Sequence, residues 1–354
     1  MFSFKFASIL ISIYVLLPCI SADSATFTHS ITYKGDSFFD GFNFFTAPDP
    51  THGWVDYVDA TTAQQGNLTG VDSSNNVFLR PNDLDVITDP NGKRQSIRIQ
   101  SKQPFTKGVV IGNFIHMPTG CGTWPAFWAS TTGQWPDGGE IDIIEGVNTG
   151  EENQSTLHTN PGCTMPSERD QLGQNRKLNC DAKADGNSGC GVSYNNGDSS
   201  YGESFNNNGG GWYAMVHDDE SIRVFFWKRD DSNVPKDVSN PPESGTITVD
   251  DSWGKPYAFF PLGNNCSGDN FGAESIIINT TLCGDWAGSV FDLNQCPGGA
   301  EKYKDITSKD SKEQCEEVVR KHPEVFKDAG WTIGSIHVYK LSQDNKKRLV
   351  RRRR

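Results

Sequence analysis

The chain has 354 residues, with 32 Lys+Arg against 44 Asp+Glu and a net charge of -12. Its 36 Gly, 11% aromatic residues and only 4 Met suit a loop-rich, β-leaning globular protein and exclude collagen-like, coiled-coil and disordered classes. The positive charge is concentrated in KKRLVRRRR from Lys346 to Arg354; without that tail and Lys5, residues 22–345 carry about -20, which argues against a nucleic-acid partner.

The first 21 residues, MFSFKFASILISIYVLLPCIS, combine one Lys, an apolar run from Ala7 to Leu17, Pro18 and then small residues. This pattern predicts a secretory signal peptide cleaved after Ser21 or Ala22, with Ser24 as the alternative. No later run approaches eighteen apolar residues, so the expected product is a secreted, extracellular protein without a membrane span or membrane partner. The basic C-terminus also lacks the apolar tail of a lipid-anchor signal.

Beyond the leader, short apolar or alternating runs begin at Val77, Ser96, Gly108, Glu140, Trp212, Ile222, Ser275 and Ser335, separated by Gly, Asn, Asp and Pro. The spacing predicts one all-β domain over residues 22–342, a sandwich or barrel of antiparallel strands. Residues 160–211 form a long, polar, Asn/Gly-rich stretch, expected to wall a cleft. Asp218, Asp219 and Glu220 read as a hairpin turn. Helical periodicity is convincing only in SKEQCEEVVRKHPEVFKDAG, with Ser311 as cap and Pro323 as interruption; a short helix under the sandwich is expected. Residues 343–354 read as a solvated basic tail.

Loss of Cys19 with the leader leaves eight cysteines, enough for four disulfides in an oxidising compartment. Cys180 with Cys190 and Cys296 with Cys315 are the locally attractive pairs, though the spacings leave the connectivity open. No two cysteines have zinc-site spacing, so no metal and no cofactor are expected. Sequons at Asn67, Asn153, Asn265 and Asn279 agree with secretion.

The chemistry concentrates in GQWPDGGEIDIIEGVN, Gly133 to Asn148. Glu140 and Asp142 share one face of a regular strand, and Glu145 falls on the other. One β-bulge between Asp142 and Glu145 would return Glu145 to the face of Glu140. Crowded carboxylates separate their proton affinities, as glycoside hydrolysis requires of its ionised and protonated partners. The bland alternative is an edge strand with solvated carboxylates. Trp124, Phe127, Trp128 and Trp135 precede the run; each is either core or a platform for sugar rings, whose C–H faces pack on aromatics.

GTWPAFW at Gly122, GGEIDIIEGVN at Gly138, LHTNPGCTM at Leu157, NSGCGV at Asn187, SYGESFNNNGGGWYAM at Ser200 and CGDWAG at Cys283 resemble the fungal laminarinase-type members of glycoside hydrolase family 16. The resemblance spans about residues 27–342. It implies a concanavalin-like β-jelly roll, two antiparallel sheets with a concave substrate cleft, and endo-hydrolysis of β-1,3- or mixed β-1,3/1,4-glucan with retained configuration. It further implies Glu140 as nucleophile, Glu145 as acid/base and Asp142 as holder of a shared hydrogen bond. Retention requires catalytic carboxyls about 5 to 5.5 Å apart. Trp128, Trp135, His158 and Trp286 would line the subsites, with Arg98 as a further contact.

By itself His158 reads as structural, and its place in the family-like HTNPGC segment raises a cleft-lining role to equal standing; Asp285 reads as orienting the Trp286 loop or contacting sugar. The chain departs from the family's pattern in NNCSGDNFGAESIIINTTL and MVHDDESIRVFFWKR, which touch subsite detail rather than the acidic run. Its last strand, IGSIHVYK, lacks the Asp of the calcium site that some members carry, again implying no metal. The expected partner is a β-glucan polysaccharide, bound by a monomer. The competing functions are a non-catalytic glucan-binding module and a wall-remodelling transglycosylase, the latter more often with E-x-D-x-E spacing and an anchor.

Overall fold

A computed structural model describes residues 25–195 and 197–342. The expected leader and the basic tail lie outside them. Among the described residues no helix is long and apolar enough to cross a membrane. The architecture is mostly β, two packed antiparallel sheets with few helices, in a jelly roll.

One sheet runs, edge to edge, through Thr246–Val249, Ala25–Tyr33, Trp331–Leu341, Gly108–His116, Gly211–His217, Ser221–Lys228 and Ala258–Pro261. Val77–Leu79 joins it at the start of Trp331–Leu341 and carries Thr69–Val71. Its central strands are apolar on both sides because both faces are covered. Tyr213 and Met215 enter the inter-sheet core, while Trp212, Ala214 and Val216 pack outward with Trp227, Val238 and Trp253.

The second sheet runs through Gln174–Asn175, Val192–Ser193, Gln154–His158, Glu140–Glu145, Thr123–Thr131, Glu274–Leu282, Arg98–Ser101 and Phe42–Phe44. Here the two-residue side-chain period divides core from cleft. Ile99, Phe127, Ala129, Ile141, Leu157, Ile276 and Ile278 face the first sheet. Their neighbours Arg98, Gln100, Trp128, Ser130, Glu140, His158, Ile277 and Asn279 line an open cavity of about 970 Å³ on the other side. Thr123–Thr131 is a central strand despite Pro125, which sits beyond the last pair with the acidic strand, Glu145 with Ala126.

The expected helix is present at Ser311–Lys321, and Pro323 opens the 3-10 turn that follows. Its cap is Asp310 rather than Ser311: the Asp310 carboxylate accepts from the Glu313 N–H at 3.0 Å, and Ser311 is already helical. Cys315, Val318 and Val319 bury against Leu282, Phe291 and Tyr303 in a satellite cluster. The C-terminal end is held by buried Arg94, whose Nε donates to the Val319 carbonyl at 2.7 Å.

The disulfides are Cys121–Cys296, Cys163–Cys266, Cys180–Cys190 and Cys283–Cys315. Cys180–Cys190 is as expected. The Cys296–Cys315 pairing is corrected: the helix turns Cys315 toward Cys283 at the end of Glu274–Leu282, and Cys296 meets Cys121 beside the neighbouring strand. Adjacency across the sheet outweighs proximity along the chain.

Candidate active site

The acidic run forms the strand Glu140–Glu145 and contains the expected bulge. Glu140, Ile141 and Asp142 pair with Ser130, Ala129 and Trp128; the register then shifts, so Ile144 pairs with Phe127 and Glu145 with Ala126. Ile143 is the extra residue. Ile141 and Ile144 therefore stay in the core while Glu140, Asp142 and Glu145 all reach the cavity.

The bulge interrupts the ladder, and side chains from the adjoining segment satisfy its backbone. The Ile143 carbonyl accepts from Asn153 Nδ2 at 2.9 Å and Ser155 Oγ at 3.0 Å. The Glu145 N–H donates to Asn153 Oδ1 at 3.0 Å. Asn153 is fully buried, so these are fixed contacts.

Each catalytic candidate has one carboxyl oxygen held by an indole N–H. Trp124 Nε1 donates to Glu145 Oε1 at 2.8 Å, and Trp135 Nε1 to Glu140 Oε2 at 2.8 Å. Burial, reinforced by Asp142, raises both acids, Glu140 to about 7 and Glu145 to about 8. His158 Nε2 lies 3.4 Å from Asp142 Oδ2 and 3.9 Å from Glu140 Oε1. Burial opposes the imidazolium, but the surrounding carboxylates prevail and raise His158 to about 9. Its Nδ1 is 2.9 Å from Asn187 Oδ1. Asp142 is 2% exposed, and its Oδ2 has no hydrogen-bond partner among the described residues.

The cavity brings together every site residue expected from sequence: Glu140, Asp142, Glu145, Trp128, Trp135, His158, Trp286 and Arg98. Trp135 is 42% exposed at the rim, available as a platform rather than core. Trp124 packs edge-on against Trp286, with centroids 5.6 Å apart. The Arg98 guanidinium lies 5.0 Å from the centre of the Trp128 ring. Asp285 also borders the cavity, and its carboxylate is 2.7 Å from His52 Nδ1. The long loop supplies one wall through Arg176, Lys177, Asn187 and Ser188, stapled by Cys180–Cys190.

Sequence reasoning missed the amide shell. Asn279 accepts from Trp128 Nε1 at 2.7 Å, Asn187 orients His158, and Asn153 fastens the bulge. Two of these three are sequon asparagines, and it is their burial, 0% exposed for Asn153 and 7% for Asn279, that identifies them as structural. A potential donor set for a metal exists in Glu140, Asp142 and His158, whose ligand atoms lie within 4.8 Å of one another.

Residues 42–339 match the family described as the XgeA-like, catalytic domain of glycoside hydrolase family 16. The chain is 42% identical over 314 residues to a probable glycosidase of Schizosaccharomyces pombe, spanning 87% of this chain and 68% of that protein. It is 40% identical over 320 residues to an endo-1,3(4)-beta-glucanase of Arthroderma benhamiae, spanning 89% of this chain and 65% of the relative. Other relatives are longer still: the alignment spans 46% of a probable endo-1,3(4)-beta-glucanase of Aspergillus fumigatus. Among solved structures, laminarinase 16A of Phanerochaete chrysosporium, with glucans in donor and acceptor sites, aligns at 42% identity and TM-score 0.80, covering 89% of this chain and all of that one. An elongating family 16 beta-1,3-glucosyltransferase aligns at 38% identity and TM-score 0.77, with 89% and 100% coverage. The chain belongs to glycoside hydrolase family 16, as an XgeA-like catalytic domain.

Proposed function

We propose that this chain is a secreted endo-glycosidase that hydrolyses β-1,3-glucan or mixed β-1,3/1,4-glucan by double displacement with retention. The observation that carries the proposal is the bulge, which sets two long acidic side chains on one cleft face with Asp142 between them. Glu140 acts as nucleophile. Trp135 holds its Oε2, so Oε1 is the oxygen available to the anomeric carbon. Glu145, raised by desolvation and by Asp142, holds the proton and delivers it to the leaving glycosidic oxygen. It then takes a proton from the water that releases the glycosyl-enzyme. Asp142 and the His158 imidazolium set the local charge, while Trp128, Trp135 and Trp286 offer faces to sugar rings and Arg98 stiffens Trp128.

Purified protein should release reducing ends from laminarin. Glu140→Gln and Glu145→Gln should each lower kcat by several orders of magnitude, because each removes a chemical participant; undiminished activity in either variant refutes the assignment. The resemblance to the elongating glucosyltransferase favours a second reading, in which a sugar replaces water as acceptor. Product analysis at high acceptor concentration separates them: longer glucans indicate transfer, and shorter ones only indicate hydrolysis.

A further inference from the structure

The cleft floor groups one imidazole with two carboxylates. His158 Nε2 is 3.4 Å from Asp142 Oδ2 and 3.9 Å from Glu140 Oε1. Zinc binds imidazole nitrogen and carboxylate oxygen at about 2.0 to 2.2 Å, so donors on neighbouring corners of a tetrahedron stand about 3.3 to 3.6 Å apart. The His158–Asp142 separation already meets that requirement; the ligand atoms of all three residues lie within 4.8 Å of one another, so the set closes on an ion by side-chain adjustments on the order of an ångström.

Two further observations point to a ligand. Asp142 is 2% exposed and its Oδ2 makes no hydrogen bond; the group it faces is His158 Nε2 at 3.4 Å, whose proton an incoming divalent cation would replace. The other nitrogen of His158, Nδ1, is held by Asn187 Oδ1 at 2.9 Å, so Nε2 is turned toward the carboxylates. Metal-binding imidazoles are oriented in this way by a partner on the second nitrogen. The open cavity provides an entry path and leaves the fourth position to water.

We propose that Glu140, Asp142 and His158 bind a divalent transition-metal ion of the zinc type across the cleft floor, and that this ion reversibly blocks the site. An imidazole with only two carboxylates suits zinc better than calcium or magnesium, which favour six or more oxygen ligands. Glu140 Oε1, the oxygen left free by Trp135, would be occupied by the ion and withheld from the sugar. Metal-bound and catalytically competent states are therefore mutually exclusive. The blocking half rests on the proposed glucanase function; the binding half does not.

The test is calorimetric titration of Zn²⁺ alone into the whole purified chain. Wild-type protein should bind one ion at this site, with the zinc located by anomalous diffraction between the three residues. Asp142→Asn and His158→Gln should abolish that binding. Asn187→Ala, which touches no ligand atom of the ion, should weaken it about 10- to 100-fold. His52→Gln, on the rim beside Asp285, should bind as wild type does. Wild-type protein that takes up no zinc, or an isotherm unchanged in Asp142→Asn and Asn187→Ala, overturns the proposal. Should His158→Gln fail to fold by circular dichroism, those two variants decide the matter. In laminarin assays zinc should raise KM with kcat unchanged. Zinc binding without inhibition overturns the blocking half, whereas absent hydrolysis alongside intact zinc binding refutes the glucanase reading and leaves the metal site standing.

Discussion

Glu140 and Glu145 differ less in chemistry than in surroundings. Both are half-buried beside Asp142, both accept an indole N–H, and desolvation raises both. His158 favours the ionised form of both, and at Glu140 Arg98 adds to it. That extra cation beside Glu140 favours it as the ionised partner and Glu145 as the protonated one, the assignment a retaining glycosidase needs. Activity requires Glu140 ionised and Glu145 protonated, so kcat/KM should be bell-shaped in pH, with both limbs displaced above the ordinary carboxylate range. Trp124→Phe removes a hydrogen bond that favours ionised Glu145, so its proton is held more tightly and the alkaline limb should move to higher pH. A pH profile of the variant in which that limb is unmoved, or moves down, contradicts this account.

At the level of the element, the bulged strand depends on a residue outside it. Asn153 accepts from the Glu145 N–H and donates to the Ile143 carbonyl, bridging the point where the ladder breaks. Asn153→Ala would leave the Glu145 N–H without this acceptor in a buried setting, at a cost of about 1 to 3 kcal/mol. Denaturant unfolding should show that loss, and kcat should fall as well because Glu145 loses its anchor. A variant with wild-type kcat and stability would show that the register shift maintains itself. The helix Ser311–Lys321 is held at both ends in the same fashion, by the Asp310 side chain and by Arg94 from a distant segment.

Across the whole molecule, the disulfides tie the cleft walls to the sandwich. Cys283–Cys315 joins the segment leading to Trp286 to the helix, and Cys163–Cys266 and Cys180–Cys190 fasten the long loop. The fold also sorts the four sequons. Asn153 and Asn279 are buried with their amides engaged, whereas Asn67 and Asn265 are exposed. After passage through a eukaryotic secretory pathway, peptide mass mapping should find glycans at Asn67 or Asn265 and none at Asn153 or Asn279 in active protein. A glycan at either buried position would be incompatible with this packing.

Much of the chemistry was legible because it is local. E-x-D-x-x-E on a β-rich run specifies three carboxylates, and the alternation rule shows that a bulge must intervene for all three to share a face. Strands such as Gly211–His217 declared themselves through apolar runs, while Ala25–Tyr33, Thr123–Thr131 and Gln154–His158 mix polar residues or Pro into the pattern and were not separable from loops. The disulfide partners of Cys296 and Cys315, the Asp310 cap, and the amide shell of Asn153, Asn187 and Asn279 were decided only by tertiary structure. A one-dimensional pattern records which side of an element a residue occupies. Which residue from a distant segment meets it there depends on how the two sheets are wound and closed, and that packing also determines whether an asparagine is a glycan site or a structural clamp.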